Sequence, residues 1–309
     1  MTASPPLPVI GPDIGPVIGL VAGDPAGVGP ELLAEALRHP PEGVTLEVIG
    51  DPSPRNPGHP DEEGSRRAIA ALEEAARRAL AGELAAVVTG PVSKKHLHGA
   101  GFNFPGQTEF FAARAGVENF AMLLTGGPLT VALVTAHVPL REVAAMLSTQ
   151  EIVRVGGLLA AFLRRRGIAS PRIAVAGLNP HAGEQGDLGD EEERIISPAI
   201  PLLEAASPEA RFTGPLSPDT VFWRAANGEF DAVLCMYHDQ GLIPLKLLGF
   251  HDGVNVTLGL PFIRTSPDHG TAYEIAGTGK ARPDSFLAAL RLAAELVGGK
   301  KGNSQGSRG

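Results

Sequence analysis

Short runs of branched apolar residues alternate with helical segments along the first part of the chain, and this alternation restricts the fold more than any other feature. Strands are predicted at 16–22, 45–49 and 84–89, and helices at 31–37 and 65–81. Strands separated by helices of this length are typical of parallel βαβ units. Further along the chain we predict a helix at 190–206, a strand followed by a loop in GVNVTLGLPFIRTSPDHGTA, and a closing amphipathic helix at 284–297. We therefore predict an α/β protein.

Composition limits the classes of function. The chain has 309 residues, of which 43% are hydrophobic and 19% charged, so it is long enough for two lobes. A net charge of −8 argues against nucleic acid or an anionic membrane as a non-specific partner. A single cysteine, Cys235, excludes an internal disulfide.

Targeting signals are not evident in the sequence. The start, MTASPPLPVIGPDIGP, lacks a basic region and is broken by prolines, so we expect no signal peptide. No apolar stretch approaches the ~20 residues of a spanning helix. We expect a cytoplasmic enzyme whose last residues, GGKKGNSQGSRG, form a disordered tail.

Three histidines each stand where an apolar run gives way to a turn: His137 in VALVTAHVPL, His181 in GLNPHAGE and His238 in AVLCMYHDQG. Ligands of open α/β sheets bind outside the carboxyl ends of the strands. Imidazole suits zinc and its first-row neighbours. A single histidine at such a position would be interpreted as a polar group whose hydrogen bonds are satisfied within the protein. Three histidines at such positions favour a shared divalent metal.

A second group of polar residues, Lys246, Asn255 and Arg264, interrupts an apolar stretch. A lone lysine among leucines usually extends to solvent, whereas three such residues beside a histidine indicate a cradle for phosphate and carboxylate. The acid–base candidates are Asp239, Asp268 and His269, although each is equally suited to capping a loop.

Two helix N-termini are weaker candidates for binding an anion. In GDPAGVGPE, Gly27 and Gly29 precede a helix whose free N–H groups favour anions, but a tight turn explains them equally well. In PGQTEFF, Gln107 and Thr108 offer an amide and a hydroxyl to a phosphate, although N-capping by Thr108 needs no ligand.

Taken together, these segments resemble the 4-hydroxythreonine-4-phosphate dehydrogenase family. The resemblance covers nearly all of residues 17–298 and is carried by GDPAGVGPE, TGPVSK, GQTEFF, TAHVPLR, GLNPHAGE, GPLSPDT, MYHDQGL and GVNVTLGLPFIRTSPDHGTA. Two departures stand out. Gln107 occupies the place of a family histidine, and the segment between Asp51 and Ser65 is shorter than is typical of the family.

The resemblance implies a two-lobed fold of the isocitrate/isopropylmalate dehydrogenase type, with a cleft between the lobes. We place the first lobe at 1–102 plus 281–309 and the second at 103–280. The family is a homodimer with sites at the subunit interface, and uses NAD or NADP and a divalent metal (zinc, magnesium or cobalt). Its metal ligands fall on His137, His181 and His238, and its substrate-binding positions on Thr108, Lys246, Asn255 and Arg264, with Gln107 beside them.

The implied reaction, in vitamin B6 synthesis, oxidises 4-phosphooxy-L-threonine and decarboxylates the product to 3-amino-2-oxopropyl phosphate. Asp239, Asp268 and Lys246 are the candidates for proton transfer, and Gly27 and Gly29 for cofactor binding. One alternative is a related phosphorylated hydroxy acid such as 4-phosphoerythronate. Others are a three-histidine metal hydrolase, an acyltransferase like the phosphotransacetylases and, least favoured, a metal-binding module without activity.

Overall fold

A computed structural model describes residues 15–298 of the chain. The segments 1–14 and 299–309, on which the expectations about a signal peptide and a disordered tail rest, lie outside the described residues. The ten described strands are β1 (Val17–Val21), β2 (Thr45–Val48), β3 (Ala86–Thr89), β4 (Ala121–Gly126), β5 (Leu129–Leu133), β6 (Arg172–Ala176), β7 (Arg211–Leu216), β8 (Ala232–Cys235), β9 (Val254–Leu258) and β10 (Ile263–Pro267).

Ten described α-helices connect and cover these strands. They are α1 (Gly29–Arg38), α2 (Glu62–Leu80), α3 (Lys94–Gly99), α4 (Gln107–Ala115), α5 (Leu140–Met146), α6 (Thr149–Arg165), α7 (Ser197–Ala206), α8 (Val221–Ala226), α9 (His238–Leu248) and α10 (Asp284–Gly298). Taken singly, none of these helices has the length and apolar character needed to cross a membrane, although the bent pair α5 and α6 passes by length and composition.

The described chain divides into two compact units. The first comprises residues 15–126 and 249–298, and its strands lie in the order β2-β1-β3-β10-β9-β4. Strands β2, β1, β3 and β10 are parallel, and β9 is antiparallel to both β10 and β4. Because β10 pairs with β3, Arg264 stands opposite Val87, two residues before the last residue of β3, Thr89.

The second unit comprises residues 127–248, and its four strands lie in the order β5-β8-β6-β7, all parallel. Every residue of β5 and β8 is buried. Such continuous apolar runs are typical of strands covered on both faces. The carboxyl ends of β5, β6 and β8 lead to the segments that carry the three histidines.

The structure alters three details of the predicted organisation. The units exchange at 126/127 and 248/249 rather than at 102 and 280, because β4 pairs with β9 and so joins the first unit. The stretch predicted as one strand and a loop forms two strands, β9 and β10, which the turn at Gly259 (φ +87°) connects. The predicted helix at 190–206 begins with a π-helical turn, Glu192–Ile196, before α7.

Candidate active site

Arg264 is the most deeply buried cation described here, with 2% of its surface exposed. Its Nη2 donates to the Thr89 Oγ1 at 2.8 Å and to the Gln107 Oε1 at 3.1 Å, and its Nη1 donates to the Thr257 Oγ1 at 3.3 Å. The guanidinium lies over the Phe111 ring, 5.6 Å from its centroid. The described hydrogen bonds of this cation therefore all go to uncharged side chains.

Burial lowers the pKa of Arg264 to about 10, although the Glu109 carboxylate partly opposes the shift. A buried cation without a bound anion is costly, and a negatively charged ligand offsets that cost. Two buried polar atoms, the Arg264 Nε and the Asn255 Oδ1, have no hydrogen-bond partner among the described residues. A buried cation with an unpartnered N–H group is suited to binding an anion.

Gln107 and Thr108 occupy the first turn of α4, beside Arg264. The Gln107 Nε2 donates to the Gly90 carbonyl at 3.1 Å, which fixes the amide so that its oxygen faces the arginine. The N-cap is Gly106 and no side chain caps this helix, so the capping role considered for Thr108 is wrong. The Thr108 hydroxyl instead lies 3.4 Å from the Thr257 hydroxyl. We call Arg264, Gln107, Thr108, Thr257 and Thr89 the arginine cradle.

His137 and His238 lie side by side in the second unit, with ring centroids 5.3 Å apart and planes inclined by 42°. They line a cavity of about 190 Å³ together with six further residues: Thr135, Val138, Leu140, Val143, Tyr237 and Asp239. The Asp239 Oδ1 lies 2.7 Å from the His238 Nδ1. Such a contact orients the imidazole so that the Nε2 faces away from the carboxylate, as is usual for histidines that bind metal. We call these two residues the histidine pair.

Two imidazoles at this separation fit as two ligands of one divalent ion, whereas the third predicted ligand is not beside them. No three His, Cys, Asp or Glu side chains within 15–298 are grouped closely enough to hold a metal. His181 acts instead on Asp219, whose pKa is lowered mainly by the Ser217 hydroxyl and to a smaller extent by the imidazole. The three-histidine metal site therefore stays a prediction.

The backbone around His181 is strained. Five successive residues, 181–185, have φ between 46° and 81°, and four of them are not glycine. His137 also has a positive φ, 56°. A left-handed conformation costs roughly 1–2 kcal/mol for each residue with a Cβ. Strain of this kind collects at functional sites, where the surrounding structure enforces it.

The other predicted residues are distributed between the two units. Lys246 is half-buried on α9 in the second unit. Asp268 follows β10 in the first, where its backbone N–H contacts the Ser285 Oγ at 3.1 Å and the Gly253 carbonyl at 3.2 Å. His269 is exposed and lies within hydrogen-bonding distance of the Gly270 carbonyl.

Close packing against the backbone explains why glycine occupies positions 27 and 29. A Cβ on Gly29 would lie 1.8 Å from the Ala22 carbonyl oxygen, and one on Gly27 would lie 2.8 Å from that of Thr271. The Val28 N–H between them donates to the Thr271 carbonyl. This amide is therefore already occupied in the described chain, and cofactor binding by these glycines stays a prediction.

Sequence reasoning missed several residues that build these sites. Thr89 and Thr257 complete the arginine cradle, and Gln240 links the His238 turn to the end of β6, since its Nε2 donates to the Gly177 carbonyl at 2.6 Å. Their signal is weak: each is a lone polar residue in or just after a buried strand. Only the pairing of distant strands brings them to the candidate ligands.

The comparisons with known proteins assign the family. A model of the family described as pyridoxal phosphate biosynthetic protein PdxA matches residues 32–293. The chain belongs to the PdxA family. It is 48% identical over 264 residues to a 4-hydroxythreonine-4-phosphate dehydrogenase of Bradyrhizobium diazoefficiens, covering 84% of this chain and 76% of that protein. It is 41% identical over 319 residues to a D-threonate 4-phosphate dehydrogenase of Salmonella typhimurium, covering 89% and 97%.

Solved structures agree with the PdxA assignment. The crystal structure of 4-hydroxythreonine-4-phosphate dehydrogenase from Klebsiella pneumoniae matches with a TM-score of 0.77 at 39% identity, covering 91% of this chain and 99% of that one. A β-decarboxylating dehydrogenase from Thermococcus kodakarensis matches at 0.55 and 15% identity, covering 92% and 84%, and shows the fold alone. The predicted fold class is confirmed. Membership of a dehydrogenase family displaces the hydrolase, acyltransferase and inactive-module hypotheses.

Proposed function

We propose that this PdxA-family dehydrogenase oxidises 4-phosphooxy-L-threonine with NAD or NADP, and that decarboxylation then gives 3-amino-2-oxopropyl phosphate. The supporting observation is the arginine cradle, which presents a buried cation with uncharged partners. Such a cation is suited to a substrate that carries a phosphate, because the anion offsets the desolvation of the guanidinium. The names of several relatives point to the same substrate.

In this mechanism the cradle binds and orients the phosphate end of the substrate. Arg264 supplies charge, and the Thr108 hydroxyl and the Asn255 amide supply hydrogen bonds, so that the C3–H bond is held toward the nicotinamide. Asp239 holds the His238 ring in one orientation rather than carrying the substrate proton. This leaves Lys246 and Asp268 as the candidates for accepting the proton of the C3 hydroxyl.

A divalent ion (zinc, magnesium or cobalt) would be held by His137 and His238, with His181 of a second copy of the chain as the candidate for the third ligand. When bound, it supplies a Lewis acid that lowers the pKa of a hydroxyl and stabilises negative charge on the neighbouring carbonyl oxygen. The chain's own contribution is the pair of rings, the orienting carboxylate of Asp239 and the apolar wall of the cavity, formed by Val138, Leu140 and Val143.

A second candidate substrate is D-threonate 4-phosphate or another phosphorylated hydroxy acid such as 4-phosphoerythronate. The Salmonella relative carries the first activity in its name. These acids have a hydroxyl where 4-phosphooxy-L-threonine has an amine. The arginine cradle would bind the phosphate that all of these substrates share, so it accommodates either group.

We also propose that the active protein is a homodimer in the cytoplasm. Ile243 and Leu247 of α9 are 68% and 83% exposed, and Leu140 and Met146 of α5 are also exposed, with Leu140 lining the cavity of the histidine pair. Large exposed apolar side chains favour protein–protein contact. A second copy covering this surface would also place its own ligands near the pair.

The deciding experiment compares the purified full-length protein on the two classes of phosphoester. We expect NADH or NADPH to form faster from 4-phosphooxy-L-threonine than from D-threonate 4-phosphate or 4-phosphoerythronate, and a chelator to abolish the activity. Preference for either phosphorylated acid would replace the substrate assignment. Phosphate release without nucleotide would contradict the dehydrogenase itself.

A further inference from the structure

The strained turn at His181 depends on one buried carboxylate. Glu192 is 3% exposed, and its Oε1 accepts the backbone N–H groups of Leu178 and Asn179, both at 2.7 Å. Its Oε2 accepts the Asn179 Nδ2 at 3.0 Å. These partners are all uncharged, so the carboxylate is held entirely by amide donors from the two residues that open the turn.

Glu192 is also packed directly against the turn. A Cβ on Gly183 would lie 2.8 Å from the Glu192 Oε2, and one on Gly177 would lie 3.1 Å from its Oε1. The turn closes beyond this contact, where the Leu188 N–H donates to the Gly183 carbonyl at 3.0 Å. The carboxylate therefore packs against the backbone of the turn at both Gly177 and Gly183.

Glu192 also opens the π-helical turn before α7. Single π-helical turns are rare and are found mostly at functional sites, because they shift the side chains that follow them. Here the carboxylate is buried against the backbone of residues 177–183 rather than exposed beside its neighbour Glu193.

We infer that Glu192 is a positioning residue for His181. By binding the amides of Leu178 and Asn179, its carboxylate enforces the left-handed backbone of residues 181–185 and so fixes the direction of the imidazole. Without it, the turn relaxes toward right-handed or extended conformations, which are more favourable for residues with a Cβ. The inference deepens the proposed function and rests on it only where His181 is taken as a metal ligand.

Glu192→Gln is the most informative substitution because the amide keeps the shape but loses the charge. Its nitrogen would face the donor group of Asn179, which cannot accept a hydrogen bond. The matched control is Glu193→Gln, an exposed glutamate in the same turn. Asn179→Ala serves as a second variant. It keeps both backbone amides on Glu192 but removes the side-chain contact with Glu192, together with the one that the same Nδ2 makes to the Glu191 Oε2 at 2.7 Å, and we expect it to act in the same direction with a smaller effect.

The first measurement is amide hydrogen exchange of residues 178–189 in the metal-free full-length protein. We expect exchange to be about tenfold faster in Glu192→Gln, which corresponds to ~1.4 kcal/mol, and unchanged in Glu193→Gln. Equal exchange in the wild type and both Glu192→Gln and Asn179→Ala would overturn the inference, whatever the protein catalyses.

The second measurement is Co²⁺ affinity by calorimetry, together with kcat and KM. In Glu192→Gln we expect affinity to fall about tenfold and kcat to fall with it, while the KM for the phosphoester at saturating Co²⁺ is unchanged. An unchanged affinity despite faster exchange would contradict the link to His181. If the wild-type protein binds no Co²⁺, the proposed function is contradicted. The role of Glu192 in the turn is then tested by hydrogen exchange alone.

Discussion

The arginine cradle and the histidine pair are constructed in opposite ways. The cradle is built on buried strands and one helix start, and its cation is held by three side chains of the same unit. The histidine pair lies just after the strands, with His238 at the first position of α9 and His137 exposed and in a left-handed conformation. The first is complete within the described chain, whereas the second has two of three predicted ligands together. The proposed anion site is therefore preformed, and the proposed metal site depends on a further ligand.

The largest expected effect tests the cradle. Arg264→Met removes the cation but keeps the length of the side chain, and we expect the KM for the phosphoester to rise about 100-fold, as for loss of a buried charged partner. Metal affinity should not change if the two sites are independent. Arg114→Met, which removes an arginine paired with Glu73 in the same unit, is the control. A KM within threefold of the wild type would remove Arg264 from substrate binding.

The two sites should respond differently when the protein is diluted. If a second copy completes the histidine pair, Co²⁺ affinity should weaken at least about tenfold when the protein is diluted below its dimer dissociation constant. Binding of inorganic phosphate at Arg264 should stay constant over the same range. Calorimetry and sedimentation across a dilution series would measure both. If the Co²⁺ affinity does not change on dilution, all the metal ligands must come from one chain.

Within the histidine pair, the orienting carboxylate provides a more moderate test. Asp239→Asn keeps the shape of the side chain but loses the charge that holds the His238 Nδ1. We expect Co²⁺ affinity to fall about tenfold. Asp231→Asn, at the opposite end of β8 and paired with Arg172, should leave it unchanged. A larger loss of Co²⁺ affinity in Asp231→Asn than in Asp239→Asn would show that Asp239 does not orient His238.

In the cradle, Gln107→His restores the histidine that the family resemblance places there. A histidine titrates near its usual pKa of about 6.5, and its protonated form adds charge beside the phosphate. We expect the KM of the variant to fall several-fold as the pH drops through that value, while the wild-type KM changes little over the same interval. Parallel pH profiles would show that residue 107 does not contact the substrate.

The smallest effect concerns the two tyrosines, one in each unit. Burial, and then the hydrogen bond to Asp24, raise the pKa of Tyr273 to about 12, and burial also raises that of Tyr237. The folded state therefore holds the Tyr273 proton more tightly than the unfolded state does, and this contribution to stability is present below about pH 10. It is lost as the pH rises through about 12.

An ultraviolet titration of the folded protein measures this directly. Tyr273→Phe should remove the phenolate transition near pH 12 and leave that of Tyr237. A wild-type transition at the ordinary value near 10 would contradict the buried contact with Asp24.

The sequence was sufficient for the α/β class and for most elements, because strands and helices leave local periodic patterns. The closing helix, expected at 284–297, is observed at Asp284–Gly298. Only one strand was predicted where β9 and β10 form, so the second of them, β10, was missed. At the turn between them, a Cβ on Gly259 would lie 2.1 Å from the Asn119 carbonyl oxygen, and this close tertiary approach leaves no local sequence pattern. The capping role of Thr108 failed because the helix begins at Gln107, two residues earlier than a cap at Thr108 requires.

By itself, the sequence determined the chemical groups present: imidazoles after buried strands, and an arginine, lysine and amide within an apolar stretch. Tertiary structure alone decided which of them meet, because strand pairing joins residues far apart in the chain. It placed Arg264 against Thr89 and Gln107, and His137 beside His238, while His181 stayed apart on a turn held by Glu192. Side-chain identity is local, but proximity is a property of the whole fold.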